Sequence, residues 1–258
     1  MIQTHWFVRL VAKFGMLLLF IPLFAVVVAS FLPSWIAPGQ DLSRFGAYQI
    51  LFQDPELWEP AWRSLWIAVF TACAATGLGT LAAIAIHEKD FKGKSFIHSL
   101  LLFPLIFPEI VFGITALIWF LILRLTLGNM SLLLAHITFT LSYAMVTVSA
   151  RLQNFDGSLE EAAADLGATA AQTFFYVKLP LLAPGIIAAA LMSFALSFDD
   201  FLVSFFVSGV GTDTLPIRLY SMIKLGLNPA VYSLSAMVLV TTIVALALSE
   251  WLSRRART

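Results

Sequence analysis

The sequence predicts an all-α integral membrane protein with about six transmembrane helices. Three observations carry this. Of 258 residues, 60% are hydrophobic and 12% are charged, where a soluble domain of this size carries roughly 25% charged residues. The apolar residues fall in long runs rather than in the short amphipathic patterns of a soluble core. The connections between the runs are polar or rich in Pro and Gly.

The runs are taken in order. Phe14–Leu32 comes first, preceded by Arg9 and Lys13. At about 19 residues it exceeds the roughly 7–15-residue apolar core of a signal peptide, so an uncleaved first helix is expected. A long external segment, Pro33–Ala61, follows, ending in the acidic stretch Asp54–Glu59, which is expected to be a solvated loop. Trp62–Ile86 is the second span and Phe96–Leu123 the third, the latter carrying Pro104 and Pro108, which should bend it. Ser131–Ala150 is the fourth. Its face His136, Thr140, Tyr143 and Thr147 reads as packed polar residues rather than a metal site, because no partner ligands stand at zinc-like spacing. After a long internal segment, Leu152–Leu182, come Ala183–Val207 and Val231–Leu252. Each run meets the roughly 20-residue length needed to cross the bilayer core. The whole chain, 1–258, reads as one transmembrane domain, with 152–182 as a loop within it.

Lysine and arginine fix the expected orientation. With the N-terminus cytoplasmic, the inner side holds ten of the 15 basic residues: Arg9, Lys13, Lys89, Lys92, Lys94, Arg151, Lys178, Arg254, Arg255 and Arg257. The outer side holds Arg44, Arg63, Arg124, Arg218 and Lys224. Both termini are therefore expected in the cytoplasm. Trp35, Trp58, Trp62, Trp66 and Trp119 then fall near the outer boundary, and Trp6 and Trp251 near the inner one, where amphipathic rings anchor at headgroup level. A net charge of zero gives no basic surface for nucleic acid. The single cysteine, Cys73, cannot form an internal disulfide.

An ordered cytoplasmic loop of this length in so hydrophobic a chain needs a reason. Ser158-Leu159-Glu160-Glu161 has the form of a capping box that opens a short helix. Gly167 supplies its stop. Thr169-Ala170-Ala171-Gln172 is a second capping box, opening a helix expected to end near Lys178 and Pro180. A helix of about eight residues is marginal alone in water, so it should dock, either on its own bundle or in a groove on a partner.

The spacing here resembles a known family. Glu161-Ala162-Ala163, three residues, Gly167, nine residues, then Val177-Lys178-Leu179-Pro180 is similar to the EAA loop of ATP-binding-cassette importer permeases, with Val177 where the family pattern has isoleucine. The resemblance extends along nearly the whole chain, including Arg151-Leu152, Phe194 to Asp200, and Leu215-Pro216 with Tyr220-Ser221-Met222. It implies the type I importer permease fold, like that of the methionine importer. It implies that the loop couples to an ATPase through Glu161, Ala162, Ala163, Gly167, Leu179 and Pro180. The implied partners are an ATP-binding-cassette dimer carrying ATP and magnesium, a second permease subunit and an extracytoplasmic substrate-binding protein. The implied setting is multi-pass insertion, in contact with membrane lipid, in a bacterial inner membrane. The chain itself has no P-loop: Gly93-Lys94-Ser95 is present, but Glu88 stands where the first glycine is required.

Three carboxylates fall inside apolar runs. Glu109 lies roughly 20 Å along a straight third span and Asp199 roughly 24 Å along the fifth, both from the cytoplasmic side. A carboxylate at mid-membrane costs roughly 2.5–3.5 kcal/mol, so Glu109, Asp199 and Asp200 should face the bundle interior or a water-filled path. Ser193, Ser197, Asp200, Ser204 and Ser208 recur at helical spacing as a polar stripe, beside an aromatic stripe of Phe194, Phe198, Phe201 and Phe205. Acids beside aromatic faces suit an organic cation. The candidate pathway is thus Glu109, Ser193, Ser197, Phe198, Asp199 and Asp200. Phe107-Pro108-Glu109-Ile110 and Phe194 to Asp200 also resemble the spermidine/putrescine permeases, which implies a polyamine substrate. Related permeases for ferric iron, aminoethylphosphonate and other small solutes share parts of the pattern. An ion-coupled transporter using the three acids as relays stays open. An intramembrane hydrolase lacks a nucleophile–base pair or metal motif.

Overall fold

Every regular element among the described residues is helical, as backbone buried in lipid requires, since a helix satisfies its own N–H and C=O groups. A computed structural model describes residues 4–32, 45–153, 155–226, 228–240 and 243, with residues 4–7 as backbone alone. Four described helices are long and apolar enough to cross a membrane, and a bent pair makes a fifth span. The expected sixth span is described as an apolar helix only over Pro229–Val240. Its remainder, together with Trp35, Trp251, Arg44, Arg254, Arg255 and Arg257, lies outside the described residues.

Packing divides the chain into two compact units, Met1–Trp58 with Leu219–Thr258, and Glu59–Arg218. In the first unit, α1 (Thr4–Ser30) is exposed from Val8 to Ala25, half-buried from Val26 to Ala29 and buried at Ser30. The short α2 (Gly46–Gln53) buries Ala47 and Leu51. Trp58 donates its indole N–H to the Leu51 carbonyl at 3.1 Å and stacks on Phe52. Ser233 donates to the Ala47 carbonyl at 3.1 Å.

α3 (Pro55–Glu88) begins earlier than the apolar run suggests. The Asp54 carboxylate accepts the Glu56 N–H at 2.9 Å, and Pro55 occupies a first-turn position where its missing N–H costs nothing. The acidic stretch expected as loop is therefore the first turn of a helix, and Glu59 pairs with Arg63 at 2.7 Å. Trp58, Trp62 and Trp119 are exposed.

The third apolar run is not one straight span. It is α4 (Lys94–Ile106) and α5 (Glu109–Ile122), bent by 115°. Phe107 and Pro108 are both extended, at ψ 144° and 138°. Pro108 forces this: its ring excludes the helical conformation for the residue before it. Pro104 stays inside α4. The depth assigned to Glu109 on a straight helix is thereby overturned; Glu109 is the first residue of α5.

α6 (Asn129–Leu152) forms the core of the second unit. α4 packs on it, with Ser142 donating to the Leu101 carbonyl at 2.5 Å. Gly79 of α3 meets it so closely that a Cβ would sit 2.8 Å from the Ala144 Cβ. One apolar cluster, with Ala83, Met145, Val148, Leu152 and Leu182, closes one end. A second, with Ile67, Leu132, Ala135, Val203 and Val207, closes the other.

The internal segment holds α7 (Ser158–Asp165) and α8 (Ala170–Thr173), the latter running through a π turn, Phe174–Lys178, into α9 (Leu179–Phe198). The helix expected to end near Pro180 does not end there. In the π turn the Leu179 N–H bonds to the Phe174 carbonyl, and the wider turn admits a proline just beyond it without a helix break. The fifth run is broken further on. α9 stops at Phe198, and the chain resumes as α10 (Leu202–Val207). The serines and Asp200 therefore do not form one continuous helical stripe. α11 (Leu215–Leu225) follows.

Candidate functional site

The internal loop is built from its caps. The Thr169–Gln172 capping box forms: Gln172 N–H bonds to Thr169 Oγ1 at 3.3 Å, and Thr169 N–H to Gln172 Oε1 at 2.8 Å. The Ser158–Glu161 box does not. Gly157 is the N-cap residue, and Asp156 serves instead by accepting the Ser158 N–H at 3.0 Å. Asp156, two residues upstream of Ser158, is the acceptor, and hydrogen bonds from the Ser158 side chain and N–H hold its carboxyl below the usual pKa range. Glu161 is thus free of a capping role; it lies exposed on α7 beside exposed Ala162 and half-buried Ala163.

Gly167 ends α7 in the left-handed region at φ +82°. Its N–H bonds to the Ala164 carbonyl at 2.9 Å, and the Ala168 N–H reaches the Ala163 carbonyl at 3.0 Å. This pair of bonds is a Schellman stop. Leu166 is 89% exposed and Tyr176 79% exposed. With Gly167 and Gln172 they line a concavity of about 350 Å³. Pro180 is exposed, and Leu179 is half-buried at the start of α9.

The loop is anchored by a residue without an assigned role in the spacing. Lys178 is 5% exposed. Its Nζ meets Glu160 Oε1 of α7 at 2.6 Å and Glu88 Oε1 at the end of α3, and lies 5.7 Å from the centre of the Phe155 ring.

The membrane acids separate into two environments. Asp200 is 8% exposed and fully engaged. Its Oδ2 accepts the Ser204 N–H at 2.7 Å and its Oδ1 the Val203 N–H at 3.3 Å. It caps α10, which is why the fifth run breaks here. His136 of α6 braces the break from the side. Its Nδ1 is hydrogen bonded to Ser197 Oγ at 2.7 Å, before the break. Its Nε2 lies 3.0 Å from Ser204 Oγ, beyond it. Ser193 is also buried, one turn below.

Asp199, the neighbour of Asp200, is exposed, and so is Glu109. Glu109 opens α5, which packs on the start of α10 just beyond the two aspartates: a Cβ on Gly113 would lie 3.3 Å from the Leu202 carbonyl oxygen and 3.3 Å from the Val203 Cα. Phe198 stacks on Phe194 at 5.7 Å. A row Phe112, Phe139, Tyr143 runs between α5 and α6 at 5.6 and 5.3 Å. The structure therefore gathers Glu109, Asp199, Asp200, Ser197 and Phe198 around two chain breaks. Thr140 and Thr147 turn instead to backbone carbonyls of their own helix. Among the described residues no His, Cys, Asp and Glu group is arranged for a metal ion.

The partnership of His136 with Asp200, and the bridging of Glu88 and Glu160 by Lys178, leave no motif in the sequence. The available signal was energetic: a lone acid and a lone imidazole on neighbouring apolar helices each need a partner.

Residues 75–258 match the family described as binding-protein-dependent transport system inner membrane component. The chain is 38% identical over 245 residues to the spermidine/putrescine transport system permease protein PotC of Escherichia coli (strain K12), covering 92% of this chain and 89% of that one. In fold it is similar to a bacterial transporter that imports the acidic polysaccharide alginate, with TM-score 0.72 and 15% identity, over 97% of each chain. It is likewise similar to the methionine transporter MetNI in an inward-facing state, with TM-score 0.59 and 19% identity, over 78% of this chain and 96% of that one.

Proposed function

The chain belongs to the family of binding-protein-dependent transport system inner membrane components, and on that premise we propose that it is one permease subunit of an ATP-driven importer of polyamines. It has the type I importer permease fold, acts in transport rather than as an enzyme, and works with a separate ATPase and a substrate-binding protein. The observation that carries the substrate is the 38% identity to PotC along 92% of the chain. The chemistry of the site agrees with it, because clustered carboxylates beside aromatic faces attract ammonium groups by charge and by cation–π contact.

In this reading residues 1–258 act as one membrane domain in a bacterial inner membrane, with both termini cytoplasmic. A second permease completes the pathway, and the ATPases work as a dimer. The loop 152–182 couples to them through Glu161, Ala162, Ala163 and Gly167, with Leu179 and Pro180 leading into α9. Glu109 and Asp199 supply accessible charge to the pathway. Asp200 and Ser197 hold the break that presents Asp199, and Ser193 and Phe198 line the wall. Closure of the ATPases moves the loop, and the helices rock between outward and inward access.

Uptake of labelled spermidine and putrescine tests this, in a host without its own polyamine uptake that expresses the chain with its ATPase, second permease and binding protein. Saturable uptake that disappears with the ATPase is expected. Uptake that persists without the ATPase would establish an ion-coupled carrier. Transport of ferric iron or aminoethylphosphonate in place of polyamine would overturn the substrate.

A further inference from the structure

We propose that Lys178 is the positioning residue that carries movement from α7 to the inner end of α3. This rests on the reading of the loop as the ATPase contact.

α7 is eight residues long and buries none of them. So short a helix has little stability of its own, and no fully buried apolar side chain ties it to the membrane helices. The described ionic attachment is at Glu160, whose carboxylate meets Lys178 at 2.6 Å. The same ammonium pairs with Glu88, the last residue of α3. The lysine is 5% exposed, whereas the side chains of Glu88 and Glu160 are about one-third exposed. The cation is therefore the buried centre of the group and the acids are its arms. Phe155, which leads into α7, covers a further side of it.

A buried ammonium that loses its partners is strongly disfavoured. When α7 moves, Glu160 moves with it, and the lysine must follow or be left unpaired. Lys178 closes the π turn directly before α9. A wide turn sets a side chain off the ordinary helical register and is frequent at functional positions. The displacement of one exposed helix is thus passed at a single atom, Nζ, to α3 and α9 together. Glu161, the neighbour of Glu160, stays exposed, so one face of α7 is held while the other is open.

The test uses the complete transporter in proteoliposomes, with spermidine uptake and ATP hydrolysis measured on the same preparation. Wild type must show both; if it does not, the underlying reading fails and not this inference. Lys178→Met and Glu160→Gln are expected to assemble with the ATPase and hydrolyse ATP, while uptake per ATP falls about tenfold, the size of a typical coupling between sites. Lys178→Arg should restore most of the ratio. If Lys178→Met does not assemble, Glu160→Gln alone decides, because it leaves the lysine paired with Glu88. A wild-type ratio of uptake to hydrolysis in Glu160→Gln overturns the proposal, as does a loss of hydrolysis and uptake in equal proportion.

Discussion

His136 Nε2 lies 3.3 Å from Asp200 Oδ2, with both side chains almost wholly buried. Asp200 stands at the break between α9 and α10, and His136 holds a serine on either side of it. The pair explains how a carboxylate persists in an apolar run: it accepts two backbone N–H groups and faces an imidazole. It also explains why adjacent aspartates differ, since the residue that caps the helix turns inward and its neighbour is left exposed.

Asp200→Ala removes the cap of α10 and leaves His136 without its acid. The cap alone contributes about 1 kcal/mol. A lowered melting temperature of the detergent-purified protein is expected, with Asp200→Asn intermediate because an amide oxygen still accepts an N–H. Equal melting of all three proteins would remove the capping role.

Asp199→Asn and Glu109→Gln should act on substrate instead. A hydrogen bond to a charged group contributes about 1.5–3 kcal/mol, so the KM for spermidine should rise roughly tenfold or more in each, with melting temperature unchanged. An unchanged KM in both would move the pathway elsewhere.

Gly167→Val tests the loop without touching its packing, because beyond its chain neighbours nothing lies within 4 Å of the new Cβ. The cost is conformational, about 1–2 kcal/mol for a branched residue held in the left-handed region. Uptake should be lost while membrane insertion is normal. Gly167→Asn should retain more uptake, since asparagine tolerates this region better. Normal uptake in the valine variant would sink the coupling role.

Gly79→Val tests the close approach of α3 to α6. Its Cβ would lie 2.8 Å from Ala144 Cβ and 2.9 Å from the Met145 backbone nitrogen. Overpacking of this kind costs about 1–3 kcal/mol, so reduced yield and earlier melting are expected. Wild-type melting would show that the two helices can separate freely.

Arg255→Cys, made together with Cys73→Ser because Cys73 is exposed, tests the orientation. Labelling of intact cells by an impermeant thiol reagent should fail and labelling of inverted vesicles should succeed. The opposite result would reverse the topology.

The membrane class, the first five apolar runs and the loop with its glycine stop were legible in the sequence. These follow from local quantities: run length against bilayer thickness, and the low cost to glycine of a left-handed turn. Tertiary structure decided where the helices break and what each polar group does there. The extended pair Phe107–Pro108 and the Asp200 cap turned two straight runs into broken ones, so depths counted along the sequence did not hold. The assignment of Asp200 to His136, and of Lys178 to Glu88 and Glu160, joins residues up to 90 positions apart. Local sequence carries no record of such pairs, because a buried charge selects its partner by proximity in the packed bundle.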